Sequence, residues 1–259
     1  MKMHKAMMFL RAVVLLAVAL TGASLAQAQS CTVSWTDQTG DGLWSTAENW
    51  STNQEPGPTD AVCILLAIGS TGTCGGGCVD ATGVPSISIH SLLVDKGPTV
   101  EFGSGTVSIA TSLTVQGLNG NPGGSSSFVL LYGTNLNCPS VQVGDSSHNG
   151  GLQGYGTVEG SITNNGFFQP FSLTVTGNYT QTSGGGLLVH WGLTGILNVN
   201  GNATLSGSLG VVTDAPKFPP KSGSTYTFMT YGSLSGEFTS VTTGISVKYN
   251  TNSAVAKFH

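Results

Sequence analysis

Asp37, Thr39, Asp41 and Glu48 stand at positions 1, 3, 5 and 12 of a calcium-loop spacing, with Gly42 at the sharp turn such a loop needs. Threonine replaces one of the acids, and the preceding Cys31-Thr32-Val33-Ser34-Trp35 reads as a strand where that loop has a helix. Ser45-x-x-Glu48 also fits a capping box on one short helical turn, which would engage Glu48 locally. The residues therefore favour a turn, and no metal or cofactor is expected. For glycan cleavage the chemistry needs two acids, or a base with a cationic partner, placed around one bond. Asp95, Glu101, Asp145 and Glu159 are scattered, none two residues from another, so none shares a strand face. Asp145-Ser146-Ser147-His148 brings acid, hydroxyl and imidazole together, but no G-x-S-x-G elbow accompanies it. No catalytic residue is assigned and no enzyme is expected.

Trp35, Trp44 and Trp50 crowd one short region. They form either an aromatic platform for sugar rings or the apolar filling of an N-terminal cap, and the large area of an indole favours the second. Cys31, Cys63, Cys74 and Cys78 are disulfide candidates, and Cys138 is left over. We expect Cys31–Cys63 and Cys74–Cys78, the latter closed over glycines 75–77, among fifteen possible pairings.

Those residues are delivered to an oxidising compartment by the N-terminus. Lys2, Lys5 and Arg11 precede an apolar run too short to span a bilayer, and Ala26-Gln27-Ala28 ends it as a signal peptidase site. Residues 1–28 read as a signal peptide, and no later run spans a membrane. Removing it leaves five lysines against twelve acids, a net charge of −7, and no arginine. Nucleic acid and anionic lipid, which need clustered cations, are excluded as partners. Acidic polysaccharides are disfavoured for the same reason.

Only 8% of residues are charged and 38 are glycine, yet aliphatic residues are plentiful, which suits many short strands joined by tight turns. Ser91-Leu92-Leu93-Val94-Asp95 returns as Ser112-Leu113-Thr114-Val115-Gln116, Ser172-Leu173-Thr174-Val175-Thr176 and Ile196-Leu197-Asn198-Val199-Asn200, with a weaker copy at Ser140-Val141-Gln142-Val143-Gly144. Two alternate positions in each are apolar, so each buries one face and cannot do so alone. Stacking the copies predicts an all-β, parallel solenoid about 4.8 Å per coil, in which hydroxyls and amides form ladders where charges would repel. An antiparallel β-sandwich is the alternative. The predicted organisation is a Trp- and Cys-rich N-terminal cap over 29–85, repeat coils over 86–211 and a C-terminal β cap over 212–259, opened by Pro216, Pro219 and Pro220.

Gly177-Asn178-Tyr179-Thr180-Gln181-Thr182-Ser183-Gly184-Gly185-Gly186-Leu187 resembles the GNYTQTxGGxL unit of bacterial autotransporter-type passenger regions. Leu197 to Leu209 resembles their LNVxGxAxLxGxL coil, Tyr226 to Val241 their closing element, and Asp41 to Trp50 with Pro56 to Asp60 their opening. The order of these motifs matches over most of the chain. The resemblance implies a right-handed parallel β-helix displayed or secreted by a bacterium, pectin-lyase-like in fold, with a structural or adhesive role. No barrel follows before His259, so self-export is not expected. The expected partner is an extracellular glycan or the cell-envelope surface, with a secreted glycan-binding or glycan-cleaving protein as the alternative function.

Overall fold

Segments such as Ser86-Ile87-Ser88-Ile89 and Thr106-Val107-Ser108-Ile109 alternate polar and apolar side chains, and β-branched residues favour the extended backbone that this alternation requires. The computed structural model describes residues 30–65, 78–117, 126–191, 196–213 and 220–259. The signal peptide with its cleavage site, Cys74 with glycines 75–77, and Pro216 and Pro219 lie outside the described residues. Within them the protein is all-β, running from Val33–Ser34 to Ser253–Phe258 with one 3-10 turn at Ala47–Asn49.

Three ladders of parallel strands organise the chain. Along the first, Val33, Val62, Leu92, Leu113, Val141, Ile162, Tyr179 and Ala203 are successive neighbours. Along the second come Val79, Val100, Val129, Leu152, Phe168, Leu187 and Leu209. The third aligns Ile87, Val107, Leu136, Val158, Val175, Val199 and Tyr231. All of these side chains are buried in one apolar core. The chain visits the ladders in fixed order, at Ser91–Val94, Thr99–Phe102 and Thr106–Ile109 before returning to the first at Ser112–Val115. Parallel register of this kind overturns the antiparallel sandwich: among the described residues the antiparallel ladders lie at the C-terminal end, apart from the single Trp35–Trp50 bridge.

The sequence repeat proves to be two series. Residues 91–94, 112–115 and 140–143 share the first ladder, whereas 173–175 and 197–199 lie in the third. Most strands of all three ladders bury an apolar pair and end at a turn, so copies from different ladders look alike. The next two first-ladder strands after 143 are 161–164 and Tyr179–Gln181, and their inward positions include Asn164, Tyr179 and Gln181. The stacking also extends outside 86–211, from Val33 against Val62 to Leu209 against Val241.

Both ends of the described stack carry a fastening. Cys31–Cys63 ties the first strand to its neighbour, and Cys78 is disulfide-bonded as well. At the other end Ser253–Phe258 pairs antiparallel with both Ile245–Tyr249 and residues 225–230, so the last strand edge of the third ladder is not left open. Tyr231 fastens this hairpin by donating its hydroxyl to the carbonyls of Asn250 and Ser253, at 2.9 and 2.8 Å.

Candidate functional site

The Asp37–Glu48 loop is built around an amide. Asn49 is fully buried, and its Oδ1 accepts from Thr39 N–H and Thr39 Oγ1 at 3.0 and 2.7 Å. Its Nδ2 donates to Asp41 Oδ1 at 2.6 Å and to the Leu43 carbonyl at 3.1 Å. Asp37 Oδ1 accepts from Gly42 N–H and Asp41 Oδ2 from Thr46 Oγ1. Burial acts to raise the Asp41 pKa, but hydrogen bonds from Leu43 N–H, Thr46, Asn49 and Thr39 hold it below the ordinary carboxylate value. Glu48 is exposed. The capping box is absent too: Thr46 is the N-cap residue and caps with no side-chain bond, its hydroxyl being given to Asp41. Among the described residues no group of three or more metal-ligating side chains converges.

Trp35, Trp44 and Trp50 are 4%, 0% and 1% exposed, which rules them out as a sugar platform. Trp50 packs edge-on against both others at 4.8 Å between centroids and donates Nε1–H to the Trp44 carbonyl at 2.8 Å. Trp44 reaches Phe102 of the second ladder at 6.1 Å. The three indoles fill the end of the core.

Asp145 and His148 form a closed turn. His148 Nδ1 sits 2.8 Å from Asp145 Oδ1, the N–H groups of Ser147 and His148 donate to the same oxygen, and Gln116 Nε2 donates to Oδ2 at 3.0 Å. Burial opposes ionisation of Asp145, and these bonds hold its pKa below the ordinary value nonetheless. The carboxylate thus takes its bonds from its own turn and from Gln116. Cys138 is a free, buried thiol whose pKa burial pushes up, against bonds to Ser140 and Leu113.

The three outer faces differ in chemistry. On the first, Thr163, Thr180 and Thr204 are neighbours, as are Ser112, Ser140 and Ser161. On the third, Thr157, Thr174, Asn198 and Thr230 follow one another, and Thr230 Oγ1 donates to Asn198 Oδ1 at 2.8 Å. A shallow groove on that face is lined by Pro58, Ser88, Ser108, Asn137 and Pro139, with no titratable group.

The second face is aromatic, amide and acidic. Its half-buried outward positions align Asp80, Glu101, Leu130 and Gln153, and the row continues into the buried Gln169. Alongside, Phe128 and Phe167 approach edge-on at 6.1 Å across Gly151, where a Cβ would meet the Phe128 ring at 2.3 Å. Tyr132 and Tyr155 are register neighbours with centroids 6.4 Å apart, 39% and 46% exposed. Farther along, Phe171 lies 5.3 Å from the His190 ring, which also contacts Gln169 Nε2.

Asp80 and Glu101 face each other directly across two parallel strands, the only register pair of two acids among the described residues. Burial first, and then the Asp80 charge, push the Glu101 carboxyl above its ordinary value. Burial and the charges of Glu101 and Tyr155 raise Tyr132 in turn. Thr82 donates both N–H and Oγ1–H to Asp80 Oδ1, at 2.8 and 2.6 Å, fixing that carboxylate's orientation. Sequence reading placed Glu101 among isolated acids and left out Asp80, Tyr132 and Tyr155. The signal was available: Asp80 precedes Glu101 by 21 residues, the same step that separates Leu92 from Leu113.

The chain matches no family model and no curated protein. Among the described residues no helix is long and apolar enough to cross a membrane.

Proposed function

We propose that this chain is a secreted or surface-displayed, non-enzymatic right-handed parallel β-helix that adheres to an extracellular glycan through the outer face of its second ladder. The handedness follows from chain physics, since crossover connections between parallel strands of one sheet are almost always right-handed. The parallel ladders and the paired ends support the β-helix with caps, and the Cys31–Cys63 disulfide supports an oxidising compartment. The resemblance of residues 177–187 and 197–209 to passenger-type coils points the same way.

One observation carries the glycan reading. The second face exposes Tyr132 and Tyr155 near the half-buried amide of Gln153, while the other two offer mainly hydroxyls and small amides. Aromatic faces bind the apolar side of a sugar ring, and adjacent amides bind its hydroxyls. The strands repeat about every 4.8 Å, so such groups recur along the stack and suit a linear chain.

The Asp80–Glu101 pair favours a second reading, glycan cleavage, because two close carboxyls of different proton affinity are the equipment of glycosidases. Binding is the better supported of the two. The acids stand side by side on an open sheet face, whereas cleavage needs them on opposite sides of one bond. The test is a glycan array and a polysaccharide-degradation screen of the purified protein beside the Tyr132→Ala/Tyr155→Ala variant. Binding without product release, weakened at least about tenfold in the variant, is expected. Undiminished binding by the variant, or product release abolished by Glu101→Gln, would overturn it.

A further inference from the structure

We infer that the bound glycan is an uncharged linear chain, laid along the stack over a column of side chains that runs from Tyr132 through Tyr155, Phe171 and His190 to Val212. This rests on the glycan reading above and names the class of chain and its path.

Tyr132, Tyr155 and Val212 are the three large apolar side chains left exposed among the described residues, and all three stand on the outward side of the second ladder. Tyr132 and Tyr155 are register neighbours, Phe171 lies 5.3 Å from the His190 ring, and His190 is the register neighbour of Val212. Five successive strands of that ladder thus contribute one such side chain each.

Two β-bulges shape the middle of the column. On one side, Tyr132 and Thr134 pair with Tyr155 and Gly156, which leaves Gly133 as an extra residue with φ +77°. On the other, Pro170 and Ser172 pair with Gly154 and Tyr155, which leaves Phe171 extra. A bulge re-aims the side chains around it, and bulges gather beside functional sites. A Cβ at Gly133 would lie 3.3 Å from Tyr155 Cε2, so the ring rests against the first bulge. The most exposed tyrosine therefore sits where the ladder departs from regularity on both sides.

The dimensions of the column fix the kind of partner. It covers four strand steps, about 19 Å, and is one side chain wide. A stable protein contact buries about 800 Å² per partner, far more than this row offers. A narrow chain of rings fits it, because a pyranose is about as long as one strand step and can stack on one side chain at a time. Charge fixes the class. On these five strands the outward positions of the second ladder carry no aspartate, glutamate, lysine or arginine. Asp80 and Glu101 stand on the two strands before them, at one end of the face. A carboxylate or ammonium on each sugar would lose water over this row without gaining a partner. Neutral ring faces meet the aromatic column, and their hydroxyls meet the Gln153 amide beside it.

The test is titration calorimetry of the purified protein with cellohexaose and N-acetylglucosamine hexamer, which are uncharged, with the anionic galacturonic acid hexamer, the cationic glucosamine hexamer, and cellobiose. An uncharged hexamer should bind about tenfold more tightly than either charged one, with little change between low and moderate salt. Cellobiose reaches only part of the column and should bind about tenfold more weakly than cellohexaose. Phe171→Ala, its folding checked by circular dichroism, should weaken the hexamer several-fold and leave cellobiose, seated on the two tyrosines, unchanged. A charged hexamer that binds as tightly as the uncharged ones would overturn the class. Cellobiose as tight as cellohexaose, or a hexamer indifferent to Phe171→Ala, would overturn the path; either result leaves glycan binding standing. Failure of all four hexamers would remove the reading beneath it. Concentration-dependent dimers in sedimentation, lost in Tyr155→Ala, would make the occupant a second copy of this chain and overturn the glycan.

Discussion

Replacing Gln181 with leucine tests whether the polar corner inside the first ladder holds the stack together. Gln181 is 1% exposed. Its Nε2 donates to the carbonyls of Gly185, Ser206 and Ser208 at 3.1, 2.8 and 2.9 Å, and its Oε1 accepts from the Tyr179 hydroxyl at 2.7 Å. Asn164 completes the set, with Nδ2 donating to Tyr179 Oη and the Gly186 carbonyl, both at 3.2 Å, and Oδ1 accepting from Gly166 N–H. Burial pushes the Tyr179 pKa far up, so its hydroxyl keeps its proton and must find an acceptor. Leucine has similar bulk but no polar atom. It would orphan the Tyr179 donor and strip three carbonyls of a partner, each buried loss costing about 1–3 kcal/mol. Partial relaxation at the corner brings the expected total to about 4 kcal/mol. Guanidinium unfolding followed by circular dichroism reads it as a lowered midpoint. Tyr179→Phe removes the donor to Gln181 Oε1 and an acceptor of Asn164 Nδ2, and should cost about 2 kcal/mol. The double variant should cost less than the two singles together, because both remove the same Oη–Oε1 bond. A Gln181→Leu protein as stable as wild type, or strict additivity with Tyr179→Phe, would refute the network argument.

Gly154 has φ +131°, and a Cβ there would sit 2.0 Å from the Leu131 carbonyl oxygen, so Gly154→Ala should destabilise by about 2 kcal/mol or more. Gly83→Ala, with nothing within 4 Å of the added atom, should stay within about 0.5 kcal/mol in the same denaturation assay, and equal effects would count against the close-approach reading. Cys31 and Cys63 are 32 residues apart, which gives their bond about 4 kcal/mol in the chain-entropy view. Reducing the protein should therefore lower its melting temperature and release Trp35, Trp44 and Trp50 early, seen as red-shifted tryptophan fluorescence; melting unchanged by reductant would contradict this.

The stacking itself was legible because it needs only a local pattern. Ser-Leu-x-Val units with two inward apolar positions and uncharged outer ones demand neighbours of the same kind, and Leu92, Leu113 and Val141 do lie in register. The C-terminal strands were legible for the same reason, with Ile245–Tyr249 and Ser253–Phe258 each marked by alternation and separated by an Asn-rich turn. What the pattern could not carry was phase. Residues 172–177 match the repeat as well as residues 112–117 do, yet they belong to another side of the stack. The strands that do continue the first ladder, ending in Asn164 and Gln181, break the apolar rule because their inward side chains satisfy a corner of backbone carbonyls.

The candidate site was hidden by the same geometry. On a single strand, two acids share a face only at a spacing of two, and on that test Glu101 stood alone. In a parallel stack the nearest outward neighbour is one whole circuit away, so the relevant spacing varies with each turn: Leu92 to Leu113 is 21 residues, but Leu113 to Val141 is 28. Asp80 and Glu101 meet because their circuit is short, and Tyr132 and Tyr155 because theirs is 23. A longer circuit leaves the face unchanged, since the ladder re-forms after it, as Leu113 and Val141 show. Side-chain chemistry on such a surface is therefore set by strand order alone. An acid pair that looks accidental along the chain becomes, across the stack, two carboxylates held beside two exposed tyrosines.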